Sequence, residues 1–193
     1  MSTAYYDTHA EAFVAGSIDA DMGALRARFL RHVPAGGEVL DAGCGSGRDS
    51  LAFLKAGYRV TALDGSVEMV RRATALTGLA VEHKRFADFV DPDRFDGIWA
   101  CASLLHVPMG ELVGTVAQMA RALKLGGVFF LSFKTGDTER LVEGRHFTDL
   151  TEPRLIALAE AVDLVVIDHW TSVDVRPGRE HEGWVTAIAQ RPG

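Results

Sequence analysis

The chain has 193 residues, 48% hydrophobic and 24% charged, with a formal net charge of −6. This length suits one domain with a core that needs no disulfide or metal staple, since folding at this size removes roughly 70% of the unfolded surface from water. The negative balance and the scattered basic residues argue against nucleic acid as a partner, and no stretch approaches the ~18 apolar residues of a membrane span. Cys44 and Cys101 show no metal-ligand spacing, so no metal is expected. With a polar N-terminus lacking a signal-peptide run, they fit a reducing, cytoplasmic setting.

Residues 1–20 are polar and small, with Tyr5, Tyr6 and Phe13 as the large rings. From Asp21 a helix is predicted, with Met22, Leu25, Phe29 and Val33 on one face and Pro34, Gly36 and Gly37 as its stop. A first strand follows at Glu38–Ala42, then a helix from Arg48 to Ala56 with Leu51 and Leu54 inward and Gly57 behind it. The second strand is Arg59–Asp64, and Ser66 caps a helix whose inward residues are Met69, Val70, Ala73 and Leu76. Ala80–Phe86 reads as a third strand interrupted by charge. The fourth is Phe95–Ala100, followed by a helix from Glu111 to Leu123 with Leu112, Val116, Met119 and Leu123 inward. The apolar run Val128–Phe133 reads as a fifth strand covered on both faces. Residues 134–150 read as a polar, basic loop. Thr151 and Pro153 open a helix running to Ala161, and two last strands, Leu164–Thr171 and Trp184–Gln190, close the chain. Alternating strands and helices make this an α/β protein with a parallel sheet.

The organising stretch is Val39-Leu40-Asp41-Ala42-Gly43-Cys44-Gly45-Ser46-Gly47. A strand entering a glycine turn and then a helix lets the backbone approach a nucleotide-like ligand. Asp64 ends the second strand 23 positions after Asp41, near the ~20-residue spacing at which such an acid grips ribose hydroxyls. Ligands in an open α/β sheet collect at the strands' carboxyl ends, which nominates Asp41, Asp64, Asp88 with Phe89, and the loop Cys101 to His106.

VLDAGCGSG followed by ALD resembles the cofactor motifs of class I S-adenosylmethionine-dependent methyltransferases. Tyr5-Tyr6-Asp7, Phe95-Asp96-Gly97-Ile98-Trp99 and Leu123-Lys124-Leu125-Gly126-Gly127 extend the likeness over most of the chain, and GSGRDS is most similar to the small tellurite-resistance-like branch. The resemblance implies a Rossmann-like class I methyltransferase fold: a seven-stranded, mostly parallel sheet with its last strand inserted antiparallel, helices on both faces and an N-terminal helical cap. It implies one domain over 1–193, divided into a cap or lid (1–33), a cofactor core (36–133) and a substrate side (134–193). It implies S-adenosyl-L-methionine as cofactor, with Asp64 on the ribose, Asp88 on the adenine amino group, and the glycine loop and the Cys101 region at the methionine portion. The expected cofactor-binding set is Tyr6, Asp41, Gly43, Cys44, Gly45, Gly47, Arg48, Asp64, Gly65, Ser66, Asp88, Phe89 and Cys101. His106 and Tyr5 are the candidate catalytic residues.

Plainer roles compete: Asp64 as a helix cap, Asp88 as a surface acid, Tyr5 and Tyr6 as packing, His106 as structural, Arg48 as solvated. The expected acceptor is a small molecule, because no separate substrate domain is present. Lys134, Arg145, His146, Arg176 and Arg179 hint at an anionic one, whereas the branch hints at a chalcogen or metalloid oxyanion. Two alternatives remain open. One is a non-catalytic cofactor-binding module. The other is an NAD(P)-dependent oxidoreductase, which the GxGxG spacing and Arg48 at the third glycine's place oppose.

Overall fold

A computed structural model describes residues 2–193. Strand β1 (Glu38–Ala42) pairs in parallel with β2 (Arg59–Asp64) on one side and β4 (Phe95–Ala100) on the other. The short β3 (Glu82–His83) extends the sheet beyond β2, and β5 (Leu123–Lys134) extends it beyond β4. At the far edge β9 (Gly183–Gln190) lies between β5 and β8 (Val165–Val173), antiparallel to both. The order is β3-β2-β1-β4-β5-β9-β8. This is the mixed, mostly parallel seven-stranded sheet that the resemblance implied.

Successive strand residues point to opposite faces, and both faces are apolar, so both are covered. Val39, Trp99, Val128 and Phe130 pack on one face with Phe29 of α3 (Gly23–Leu30) and Phe53 of α4 (Arg48–Lys55). Leu40, Ile98, Phe129 and Leu131, each one residue along, pack on the other with Met119 of α6 (Met109–Ala120) and Leu155 of α7 (Glu152–Glu160). Trp99 stacks on Phe130 at 3.9 Å between ring centroids and meets Phe29 at 5.3 Å. Helix α5 (Val67–Thr77) begins at Ser66, whose hydroxyl accepts the Met69 N–H, and buries Met69 and Ala73.

Several elements depart from the sequence reading. Residues Ser2–Thr8 and Ala10–Ala15 form two short helices, α1 and α2, which the small polar composition did not announce. In α4 the buried residues are Asp49, Ser50 and Phe53, while Leu51 and Leu54 are half-buried. Leu76 of α5 is exposed. The third strand holds two residues, not seven, because the charged run after Glu82 has no apolar face to bury. Leu123 starts β5, not ends α6. The supposed 134–150 loop contains a hairpin of β6 (Glu139–Val142) and β7 (Arg145–Thr148). Its two-residue turn, Glu143-Gly144, has positive φ at both positions, the geometry that suits the twist of a hairpin.

Candidate active site

The carboxyl ends of β1, β2, β4 and β5 open into a cavity of ≈ 820 Å³, roofed by α1 and α2 and walled by the hairpin and the loop 174–182. Two ends can be distinguished.

At one end β1 runs into the glycine loop. Gly43 has φ +77, and a Cβ there would lie 2.5 Å from the Ser103 Cβ, so only glycine lets this turn meet the loop after β4. At Gly45 an added Cβ meets only Phe13, at 3.9 Å, so the space it would take belongs to the cavity. Asp64 is held by backbone: Gly45 N–H donates to its Oδ2 and Ser66 N–H to its Oδ1, each at 2.9 Å. Each carboxylate oxygen keeps a second lone pair, enough for a pair of ligand hydroxyls. Burial raises its pKa, and the two backbone amides oppose the rise. Asp41 is fully buried and its carboxyl is raised to about 7, first by desolvation and then by the charge of Asp49, although Ser50 donates to it at 2.5 Å.

Asp49 is the acid that sequence reasoning passed over. Burial would raise its carboxyl, but the guanidinium groups of Arg48 and Arg26 outweigh that and hold it below the usual range. Arg26 donates at 2.6 Å, Arg48 at 2.8 Å and the Trp99 indole at 3.2 Å. Arg48 also donates to the Ser17 carbonyl at 2.9 Å, tying the segment after α2 to the glycine loop. An acid in the first turn of the helix behind the loop was the available signal.

At the other end, His106 reaches the cavity from the turn after β4. Its Nδ1 lies 2.6 Å from the His146 carbonyl oxygen. A carbonyl only accepts, so Nδ1 carries the proton and Nε2 is the bare nitrogen. Nε2 therefore accepts the Tyr6 hydroxyl at 2.7 Å. Burial lowers the imidazole to about 4 against the opposing hydrogen bond to the His146 carbonyl, with the Arg145 charge adding to the fall, so it is neutral at pH 7. The Tyr6 phenol is raised by burial, against the pull of Arg145. Phe147 presents an edge to His106 at 5.0 Å. Lys134 of β5 and Arg176 both bind Asp174, at 2.9 and 2.6 Å, and Trp184 donates to the same carboxylate at 3.0 Å, fixing the 174–182 loop to the sheet.

The cavity wall includes Asp41, Gly43, Cys44, Gly45 and Arg48 from the glycine loop region, Asp64 and Gly65 after β2, Cys101 and His106 after β4, and Tyr6 from α1. Burial pushes the Cys101 thiol up to about 12 and the Cys44 thiol further, so both stay protonated. Five candidates lie outside the wall. Gly47 packs against Ala73, and Ser66 is the buried cap of α5. Tyr5 stacks on His9 and braces Tyr6 edge-on at 5.5 Å. Asp88 faces solvent in an ion pair with Arg85 at 2.8 Å, and Phe89 is buried against Phe95. With β3 ending at His83, the residues delivered to the cavity are Lys84, Arg85 and Phe86. Among the described residues no group of three or more His, Cys, Asp or Glu could hold a metal ion, and no helix is long and apolar enough to cross a membrane.

Residues 39–127 match the methyltransferase domain family. The ubiquinone biosynthesis O-methyltransferase of Xanthomonas axonopodis pv. citri (strain 306) is 34% identical over 109 residues, covering 53% of this chain and 45% of that protein. The chain thus spans less than half the length of this curated relative. Among solved structures, the Burkholderia thailandensis 1,6-didemethyltoxoflavin-N1-methyltransferase, with 1,6-didemethyltoxoflavin and S-adenosylhomocysteine bound, superimposes with a TM-score of 0.79 at 24% identity, over 98% of this chain and 85% of that one. A TehB-like SAM-dependent methyltransferase from Corynebacterium glutamicum ATCC 13032 Kitasato gives 0.71 at 20% identity, over 97% and 98%. At these identities the two likenesses establish the fold.

Proposed function

We propose that this chain, which has the class I S-adenosylmethionine-dependent methyltransferase fold, transfers the donor's methyl group to a small-molecule acceptor by in-line displacement. The observation that carries the reading is Asp64, pinned by two backbone amides beside a glycine loop that leaves the space at Gly45 to the cavity. The donor chemistry fits this wall. S-Adenosylmethionine supplies an electrophilic methyl on a cationic sulfonium that becomes neutral on transfer, so a dry pocket does not penalise the reaction.

In this reading Asp64 holds the ribose hydroxyls and the glycine loop, with Asp41, receives the methionine end. Phe86 and Arg85, rather than Asp88, flank the adenine. Tyr6 and Phe13 exclude water and offer ring faces to a cation, an attraction of roughly 0.5–2 kcal/mol. Tyr6 takes the proton of an acceptor O–H or N–H while passing its own to the bare Nε2 of His106. The positive charge lost at sulfur then reappears on the imidazole, and the cavity's net charge is unchanged. Tyr5 acts through Tyr6, which it braces. Alignment of the reacting atoms supplies much of the rate.

The name of the O-methyltransferase relative supports a hydroxyl acceptor. Placement in the tellurite-resistance-like branch is supported by the Corynebacterium likeness. The unpaired thiols of Cys44 and Cys101 support a reducing, cytoplasmic setting. The test is calorimetry with S-adenosylhomocysteine, followed by a screen for radiolabelled methyl transfer to a metabolite pool. Micromolar binding with a labelled product is expected. Binding without any labelled product would favour a non-catalytic module, and no binding would end the reading.

A further inference from the structure

We propose that Arg145 is an anion-recognising group at the acceptor end of the cavity, and that the acceptor carries a carboxylate close to the atom that is methylated. This rests on the methyltransferase reading and names the class of acceptor within it.

Arg145 opens β7, immediately after the Glu143-Gly144 turn, and its side chain is 15% exposed. Its guanidinium lies over the Tyr5 ring at 4.2 Å and near the Phe147 ring at 5.3 Å, aromatic contacts that leave its edge to make hydrogen bonds. Nη2 donates to Glu143 at 2.8 Å, but Nε is buried with no hydrogen-bond partner among the described residues. A buried donor without a partner is costly and marks a place where a ligand atom belongs. Nε and Nη2 form the edge that grips a carboxylate bidentately. Glu143 holds only half of that edge, and from a turn where its own side chain is 66% exposed, so water can take it back.

The other cations of this wall are committed. Arg140 is paired through two nitrogens with the buried Asp149. Lys134 bridges Asp174 and Glu182, and Arg176 binds Asp174. Arg145 therefore has the donor left over, and it has it where chemistry is expected. Its guanidinium draws on the Tyr6 hydroxyl by charge and by side-chain hydrogen bonding, and that hydroxyl in turn donates to His106. An acceptor anchored by a carboxylate on Arg145 would bring an adjacent hydroxyl or amine to Tyr6. Phe147, Leu105 and Val107 supply apolar surface for the rest of a small planar body.

The experiment measures binding of benzoate and of its neutral isostere benzamide to the full chain loaded with S-adenosylhomocysteine. Benzoate should bind roughly tenfold or more tightly than benzamide. Arg145→Gln should abolish that preference and leave S-adenosylhomocysteine affinity within about twofold, which also reports that the variant is folded. Glu143→Ala should strengthen benzoate about two- to threefold by removing its competitor, an effect that a purely structural Arg145 would not produce. Equal binding of the two probes, failure of benzoate to bind, or a preference that survives Arg145→Gln overturns the proposal. Failure of S-adenosylhomocysteine to bind would instead sink the methyltransferase reading. The benzoate comparison on the unloaded chain then still decides the role of Arg145.

Discussion

The two ends of the cavity are held by different means. At the glycine-loop end the key carboxylate is fixed by backbone N–H groups of residues 19 and 2 positions away, Gly45 and Ser66, within adjoining strand ends. At the acceptor end the contacts that hold the Tyr6–His106 pair join distant parts of the chain, mostly through side chains. Tyr6 and His106 stand 100 positions apart, His106 and the His146 carbonyl 40, and Tyr5 and Glu143 138. Backbone donors are positioned by the fold itself and cannot be deleted one at a time. Side-chain contacts between distant elements form only once α1, the hairpin and the turn after β4 have docked, and each can be changed by one substitution. The first arrangement suits a constant ligand and the second an acceptor that differs between proteins of one fold.

The largest effect that would test this contrast is on turnover. With an acceptor that arrives protonated, His106→Ala or Tyr6→Phe should lower turnover by roughly 10²–10⁴, the range for one acid/base group. Cofactor affinity should stay within about twofold, since Tyr6→Phe keeps the ring face offered to the cation and His106 is not proposed to hold the donor. The pH profile sharpens the point. Burial lowers His106 to about 4, so its neutral, proton-accepting form persists well below the ordinary histidine value, and the rate should fall only as pH drops toward about 4. The same shift means that the unfolded chain takes this proton first, so the folded chain should lose stability as pH falls from about 6.5 toward 4. Wild-type turnover in both variants would separate the dyad from the chemistry, and a rate limb near 6.5 would deny the burial of His106.

On the other side of the comparison, Asp64→Ala should weaken S-adenosylhomocysteine by one to two decades. A carboxylate accepting two hydroxyls makes charge-assisted bonds of roughly 1.5–3 kcal/mol each at most, and a decade is ~1.4 kcal/mol. Here the sign pattern reverses: affinity falls, and turnover at saturating donor should change much less. Calorimetry on a folded variant with unchanged affinity would remove Asp64 from the site.

Legibility in the sequence follows the same divide. β1, β2 and β4 have the bounds their residue pattern predicts, because alternation, a glycine turn and an acid at a strand end are local signals. The place of Asp64 at a strand end beside the glycine loop was readable for that reason. Asp88 was misplaced because its role depended on where β3 stops, and the charged residues after Glu82 carry no such signal. The hairpin was hidden by its charge: Arg140 and Arg145 interrupt the apolar alternation on the face turned to the cavity, and His146 interrupts it on the opposite face. Helices α1 and α2 are too short to be stable alone, so tertiary contacts select them. Tyr6 and His106 could each be nominated from sequence, but their pairing could not.

The smallest effect concerns how the roof is tied to the glycine-loop end. Asp7 of α1 accepts the Ser66 hydroxyl at 2.5 Å and the Glu68 N–H at 3.3 Å, placing a carboxylate at the N-terminus of α5. That position favours negative charge through the helix dipole, and the contact is exposed, so it contributes only about 0.5–1 kcal/mol. Opening the roof breaks it, and so do ligand entry and exit if α1 covers the cavity. Asp7→Ala should therefore speed amide exchange in residues 2–15 and weaken S-adenosylhomocysteine about two- to fivefold, an effect that shrinks as salt is raised. Asp7→Asn keeps an acceptor without the charge and should fall between the two. Thr3 of the same helix lies where a Gly65 Cβ would be only 2.9 Å away, so the roof sits directly on the loop after β2. If Asp7→Ala leaves both exchange and affinity unchanged, Asp7 is no part of the tie, and the roof is held by its other contacts, among them Tyr6 on His106 and the Ser17 carbonyl on Arg48.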